Sequence, residues 1–562
     1  MRAAKGDFHM RNRPATLVSA ATATGPGGKE AKLYPYVLVG ISCLALGLRL
    51  MGLNKGIWLD EFVTLDWVLS EDLTSMFQKI RTDVWPPLYF VLLRTWSYLG
   101  QGEVTFRLFS VVFGVGLVVI AMVWMKRYSY LSSILTGIIL ATLPVVLRFS
   151  QEIRGYALLL SATALAFYFA SRLKAEPQKL TGYTGLTVSL AVAVLTHMVG
   201  VMLIIPVWVF IVTMNSDWKR IELGKAFLTI AIPAALFIYL KYFFLSLSPL
   251  HDWWMPQVNL EMLWSIVGYV QDASAGAWPV SLIKGANSAL GVYLGYLAML
   301  LCLIMALIFL VWGQWRRTLP FLLAAITYWG ELLAYSVAVL PIVWGNTLLP
   351  GVVPLAGFVG LHIATLKRPV LRTVYTVVIV LLSLALATTW VTRKAWESQE
   401  QWGDVAKILA DQWRPQDLAI VYPGFIRGLA QYYFPGMPHE SIIEATRGGS
   451  REQVAAEIRR KIEAHKTTHL ANVFLIIRQD IPMMRDLTPY RHLIVDLKEQ
   501  MPKTATLQLL LHFRSHNRIP RGLLATRQEI LQWAAANFGP PLSFKVYGDL
   551  YWLRYGGILP TD

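Results

Sequence analysis

The chain has 562 residues, 55% of them apolar or aromatic and only 15% charged, with a mean hydropathy of +0.49 and a formal net charge of +17. That balance excludes an ordinary soluble enzyme and a disordered chain. The basic excess does not read as a nucleic-acid groove, because Lys and Arg mostly fall in short segments between apolar runs, where they act as topology signals.

In chain order, residues 1–32 are polar and carry Arg2, Lys5, Arg11, Arg13, Lys29 and Lys32, and they are expected to form a disordered cytoplasmic tail. A membrane span takes about 20 apolar residues, and the first such run is 33–53. It is expected to leave the cytoplasm at Gly52 and deliver "KGIWLDEFVTLDW", with the adjacent acids Asp60 and Glu61, to the far side. The next strongly basic short segment, Lys126–Arg127, should be cytoplasmic, so only one crossing lies between. Pro86–Leu99 is too short to be that crossing, opens with Pro-Pro and carries Arg94 among Trp85, Tyr89, Trp96 and Tyr98; it reads as interfacial. Val104–Met125 is then the span, and 54–103 a single external loop with interfacial helices.

Further spans are expected near 131–147, 155–172, 183–214 (a hairpin), 224–246, 289–313, 318–341, 346–366 and 372–392, about eleven in all. Both cysteines, Cys43 and Cys302, lie within spans, which leaves no disulfide framework or Cys-based metal site. An odd count from a cytoplasmic N-terminus puts residues 393–562 outside. There "DLAIVYP", "NVFLIIR" and "SFKVYGDLYWLRY" read as strands, and 401–413 and 450–465 as helices. The expected fold class is therefore an α-helical polytopic protein of the plasma (inner) membrane, spanning 33–392, with a C-terminal extracytoplasmic α/β domain.

The external segments collect the ionisable groups. Helical neighbours point about 100° apart, so Asp60 and Glu61 cannot serve as a matched pair; one can enter a site while the other bonds locally, or both favour the helix dipole as first-turn acids. "RFSQEIRGY" carries Arg148, Glu152, Arg154 and Tyr156; its guanidinium forks suit a phosphate, and the alternative is a helix-end ion pair. His197, at a hairpin tip in "LTHMVG", is either a hydrogen-bonded interfacial histidine or a site residue. Glu331 lies inside a span, where an acid costs about 3 kcal/mol by insertion scales, and is read as structural. The aromatic stretch 248–279 has the composition of an interfacial segment, an anchor or a cover for a neighbouring site. There is no sustained internal repeat, Walker loop or dinucleotide fingerprint.

The acid pair after the first span, "DVWPPLYF", "FRLFSVVFG" opening the second span, "SQEIRGYAL" and "LTHMVG", in that order, resemble the GT-C membrane glycosyltransferases. The chain is similar over roughly 33–370 to the bacterial glycosyltransferase family 39 group, related to protein O-mannosyltransferases and to the lipid A aminoarabinose transferase. It departs from that pattern at Trp85, where a His is usual, and in "WGNTLLPGVVP", which has no Arg where the family often shows Arg-Tyr. The resemblance implies inverting transfer of a sugar from a polyprenyl-phosphate donor to an extracytoplasmic acceptor, whether lipid, glycan or protein. It implies Asp60 as the base, with Glu61 orienting it or contacting the acceptor. It places Asp83, Tyr89, Arg148, Glu152, Arg154, Tyr156 and His197 around the substrate. No cofactor is required; a divalent metal ion, if used, would sit on Asp60 and Asp83. Membrane lipids are the remaining partner, and no nucleic acid is expected. The competing classes are a lipid or solute transporter, which needs ionisable groups along a path through the bilayer, and a non-catalytic assembly subunit.

Overall fold

The computed structural model describes residues 28–214, 222–245, 314–392 and shorter stretches between 395 and 555. The expected span 289–313, residues 1–27, and all but isolated positions of the aromatic stretch 248–279 and of the helix 450–465 lie outside the described residues.

The membrane body is a bundle of apolar helices. Helix α1 (Gly28–Leu50) leads to three short helices, α2 (Leu59–Val68), α3 (Leu73–Ile80) and α4 (Leu88–Trp96). Next come α5 (Glu103–Lys126), α6 (Tyr130–Thr142), α7 (Pro144–Phe149), α8 (Tyr156–Ala175) and α9 (Leu180–Thr196). A 3₁₀ turn, Met198–Leu203, runs into α10 (Ile204–Met214), and α11 (Leu223–Tyr239) ends in a π turn, Leu240–Phe244. After the undescribed stretch follow α12 (Trp315–Ala338), α13 (Leu349–Ala364) and α14 (Pro369–Thr392).

Six of these segments are long and apolar enough to cross a membrane: Ala31–Leu50, Glu103–Lys126, Tyr156–Leu173, Gly224–Phe244, Trp315–Ala338 and Pro369–Thr392. Shorter apolar helices occupy the other expected spans that are described. The protein is a polytopic helical membrane protein, and the stretch reasoned too short to cross is the nine-residue α4. Helix α1 starts a turn earlier than the expected 33.

The break between α6 and α7 shows how the bundle absorbs a defect. Pro144 has no N–H for the carbonyl of Leu140, so the helix stops at Leu143. The buried guanidinium of Arg49 at the end of α1 fills the gap, donating from Nη2 to Leu140 O at 3.1 Å and from Nη1 to Ala141 O at 3.3 Å. Close helix contact there depends on Gly114 of α5, whose missing Cβ would stand 2.4 Å from Ser150 Oγ.

The C-terminal part is built differently. Helices α15 (Trp402–Gln412) and α16 (Arg427–Tyr433) accompany β1 (Leu418–Tyr422), β2 (Ile442–Glu444), β3 (Asn472–Gln479), β4 (Thr506–Phe513), β5 (Ser543–Tyr547) and β6 (Leu550–Tyr555). They form one six-stranded sheet in the order β2-β1-β3-β4-β6-β5, parallel from β2 to β4 and antiparallel beyond. A buried polar chain fixes its register. Asp417 Oδ2 accepts from Asn472 Nδ2 at 2.9 Å, Asn472 Oδ1 from Gln508 Nε2 at 3.2 Å, and Gln508 Oε1 from Trp552 Nε1 at 2.9 Å. The strands expected at 417–423, 472–478 and 543–555 are present. The central β4, "TLQLLLHF", was not among them: Thr506, Gln508 and His512 alternate with Leu507, Leu509, Leu511 and Phe513, yet the polar face is no solvent face, since Gln508 is buried and bonded to Asn472 and Trp552.

Candidate active site

The chain leaves α1 through Gly52, whose φ of +69° only glycine adopts easily and whose Cβ position is occupied by the Ala395 carbonyl. It enters α2 at an extended Trp58, with Asp60 and Glu61 in the first turn, where the helix dipole favours carboxylates. The Asp83 turn, the start of α5, the link 150–155, His197 and the turn before α13 all close on this segment.

The two acids have opposite fates. Glu61 is 1% exposed and bound bidentately by Arg107, with Nε at 3.1 Å and Nη2 at 2.6 Å, and it also accepts the Ile153 N–H at 3.0 Å. Arg107 spends its other donors on the carbonyls of Leu53 (2.7 Å), Lys55 and Gly56 (3.1 Å). This pair fastens the whole entry of α2 to α5. Asp60, one residue earlier, has a side chain 26% exposed, with Oδ2 3.9 Å from Arg154 Nη2. Arg154 is held in place by the helix itself, through Asp60 O at 3.3 Å and Thr64 Oγ1 at 3.1 Å, with its guanidinium 4.0 Å from the centre of the Trp85 ring.

Asp83 shares that field. Burial pushes its carboxyl above the ordinary range, the Val84 N–H at 2.5 Å and Arg154 oppose this, and Asp60 adds to it. Trp85 packs edge-on against His197 (4.6 Å between centroids) and Tyr156 (5.5 Å), making one aromatic wall. Burial, with Arg154 assisting, lowers His197 to about 3, so the ring is neutral. Its Nδ1 accepts the Val199 N–H at 3.2 Å, which leaves the proton on Nε2.

A second group of cations stands on the other side. Lys55 Nζ donates to Gln151 Oε1 at 3.2 Å, and Gln151 is anchored in turn on Arg49 O at 2.8 Å and Met51 O at 2.6 Å. Burial, with Arg107 and Arg148 adding and Glu61 and Glu152 opposing, lowers Lys55 to about 8. Arg148 Nε contacts Glu152 Oε1 at 3.2 Å.

The sequence-derived set is thus sorted by the fold. Asp60, Asp83, Arg154, Tyr156 and His197 come together, while Arg148 and Glu152 stand with Lys55. Tyr89 is packed behind, its hydroxyl 3.1 Å from Ser110 Oγ, which itself donates to Glu152 O at 2.6 Å. Glu61 is enclosed by Arg107. Lys55 and Asn346 were not singled out from sequence, although Lys55 lies within the opening stretch; a lone lysine after a span reads as an anchor. Among the described residues, no three His, Cys, Asp or Glu side chains group to hold a metal ion.

The C-terminal part also reaches this segment. Tyr433 donates to Ile57 O at 2.8 Å, and the buried Glu400 accepts both the Leu59 N–H (3.3 Å) and Trp402 Nε1 (2.7 Å). Tyr432 donates to Glu103 Oε1 at 2.6 Å.

Residues 84–243 match the family model described as dolichyl-phosphate-mannose-protein mannosyltransferase. No curated protein matches the chain significantly by sequence. Among solved structures, ArnT from Cupriavidus metallidurans in the apo state matches with a TM-score of 0.51 at 12% identity, over 93% of this chain and 98% of that one. The same protein bound to undecaprenyl phosphate gives 0.48 at 12% identity, over 94% and 98%. Archaeoglobus fulgidus AglB, in complex with an inhibitory peptide and a dolichol-phosphate, gives 0.45 at 13% identity, over 84% and 71%. The chain has the GT-C fold of these structures, and residues 84–243 resemble the family so described. The family match takes in Arg148, Arg154, Tyr156 and His197 and stops short of Asp60 and Asn346.

Proposed function

We propose that the protein is a membrane glycosyltransferase that moves a sugar from a polyprenyl-phosphate donor to a hydroxyl of an extracytoplasmic acceptor, with inversion and with Asp60 as general base. The observation that carries this reading is the partly exposed Asp60 carboxylate, facing Arg154 at 3.9 Å while its neighbour Glu61 is closed off by Arg107. The family description over residues 84–243, which names a dolichyl-phosphate sugar, supports the donor class.

The chemistry asks little else of the protein. Asp60 removes the acceptor hydroxyl proton as the oxygen attacks the anomeric carbon from the face opposite the phosphate. The bond from that carbon to the phosphate oxygen breaks, and the electron pair leaves with the polyprenyl phosphate. A phosphate is a competent leaving group without a general acid, so fixed cations that take up the charge developing on it suffice. Lys55 and Arg148 are assigned that role. Arg154 aims the Asp60 carboxylate, and Glu61 with Arg107 positions the helix that carries it. Asp83, the neutral His197 and Tyr156 face the sugar. No step is routed through a metal ion; Asp60 and Asp83 are the carboxylates that would hold one, in competition with Arg154.

The test is transfer of radiolabelled sugar from a panel of polyprenyl-phosphate sugars to endogenous membrane acceptors, with wild type and Asp60→Asn at equal expression. Transfer by the wild type alone is expected; equal transfer by both removes Asp60 as base. The orientation that goes with this reading, N-terminus cytoplasmic and C-terminal part outside, is checked by a reporter fused after Trp390, and a cytoplasmic signal would overturn it.

A further inference from the structure

The turn before α13 holds an amide that the reaction described so far does not use. Asn346 Nδ2 donates to the Tyr156 hydroxyl at 2.5 Å, while its Oδ1 is shut off from solvent and bonded to nothing among the described residues. A buried carbonyl oxygen left in that state is unfavourable, and native proteins seldom keep one without a partner that arrives later.

Local structure does not account for an asparagine here. No described non-glycine residue has positive φ, so the turn makes no demand that Asn meets better than others. The turn is instead fixed by its neighbours. Thr347 Oγ1 accepts the Trp344 N–H at 2.8 Å, Tyr328 donates to Thr347 O at 2.8 Å, and Trp329 Nε1 donates to Leu348 O at 3.0 Å. The amide is therefore held rigidly on both sides, by its backbone and by Tyr156. Tyr156 in turn belongs to the aromatic wall with Trp85 and His197.

An aromatic wall beside a fixed amide is suited to a sugar ring, whose C–H faces pack on the rings while its hydroxyls bond to planar amides. We infer that Asn346 accepts a hydrogen bond from one hydroxyl of the transferred sugar and so sets which sugar the enzyme takes. This rests on the glycosyl-transfer reading and extends it to a residue outside the family-matched segment.

The test uses a polyprenyl-phosphate hexose that the wild type transfers, together with its set of monodeoxy analogues. The wild type should discriminate against one analogue by about tenfold or more in kcat/KM. Asn346→Leu, similar in volume but without the acceptor, should transfer that analogue and the parent at nearly equal rates. Asn346→Asp, which keeps the acceptor, should retain the discrimination, and Tyr156→Phe, which removes the hydroxyl that holds Nδ2, should weaken it. The same ranking in Asn346→Leu and Tyr156→Phe as in wild type overturns the assignment while leaving glycosyl transfer intact. Transfer of no sugar by the wild type removes both, so the two failures are told apart.

Discussion

Asp60 and Glu61 are neighbours in sequence, each faces an arginine, and the two pairs could hardly be less alike. Glu61 and Arg107 meet at 2.6 Å with side chains 2% and 0% exposed, whereas Asp60 and Arg154 stand 3.9 Å apart at 26% and 7%. A rotation of about 100° between consecutive helical residues is the source of the difference: it turns one carboxylate into the bundle and leaves the other at its mouth. The buried pair has satisfied every donor of its arginine on carboxylate and carbonyls, as a desolvated ion pair must. The open pair has its arginine pinned by a carbonyl, a hydroxyl and an indole face instead, which leaves the acid available to a substrate proton. One pair builds the helix entry, and on the reading proposed above the other works from it.

The comparison breaks most sharply with Asp60→Asn. The expected loss in kcat is about 10²–10⁴-fold, the range for a general base, with the thermal unfolding midpoint in detergent unchanged. A large fall in that midpoint would put Asp60 with Glu61 as a structural acid. The mirror experiment, Arg107→Leu, strands a buried carboxylate and should destabilise by about 3–5 kcal/mol, read as loss of the folded peak in size-exclusion chromatography. Adding Glu61→Leu to it should restore much of that loss, because the pair removed together leaves no uncompensated charge. Rescue of folding without rescue of a working Asp60 would sharpen the division of labour further.

A smaller effect is expected on the phosphate side. Lys55 is charged below about 8 and neutral above it. Binding of a polyprenyl phosphate that relies on this charge therefore weakens as pH rises through 8, by up to about tenfold in KM per pH unit. Lys55→Arg should flatten that rise, and a profile identical to wild type would take Lys55 out of the phosphate site. The smallest effect belongs to Thr64→Val, which removes one hydrogen bond to Arg154 worth about 1 kcal/mol. It should reduce kcat about fivefold and leave stability nearly unchanged.

Much of the fold could be read from the residues because a bilayer imposes long apolar runs and basic stops. The shortness of α4 followed from the length of its apolar run and its Pro-Pro opening, and Arg94 with its aromatic neighbours suggested an interfacial place. The C-terminal sheet was half legible: its edge hairpin was read as strand, while β4 was passed over although Thr506, Gln508 and His512 alternate with leucines and Phe513, and its buried Gln508 is a polar group the sheet keeps inside. In the site, the acids and arginines announced themselves as charges beside spans, and Asp83, Arg154, Tyr156 and His197 do meet. The residues alone left open which acid is buried, and only the resemblance singled out Asp60; the phase of α2 relative to α5 is set by Arg107, 46 residues beyond Glu61. Asn346 gave no signal of its own, because it reaches Tyr156 across 190 residues.

The bond between Glu400 and the first N–H of α2 spans 341 residues. At roughly 5–20 residues per second of synthesis, the helix bearing Asp60 waits about 17–70 s after it is made before the acid that caps it exists. The fold therefore carries its own delay. A nascent chain holds α2 without its cap, and the assembly is completed only when nearly three-quarters of the polypeptide has been delivered.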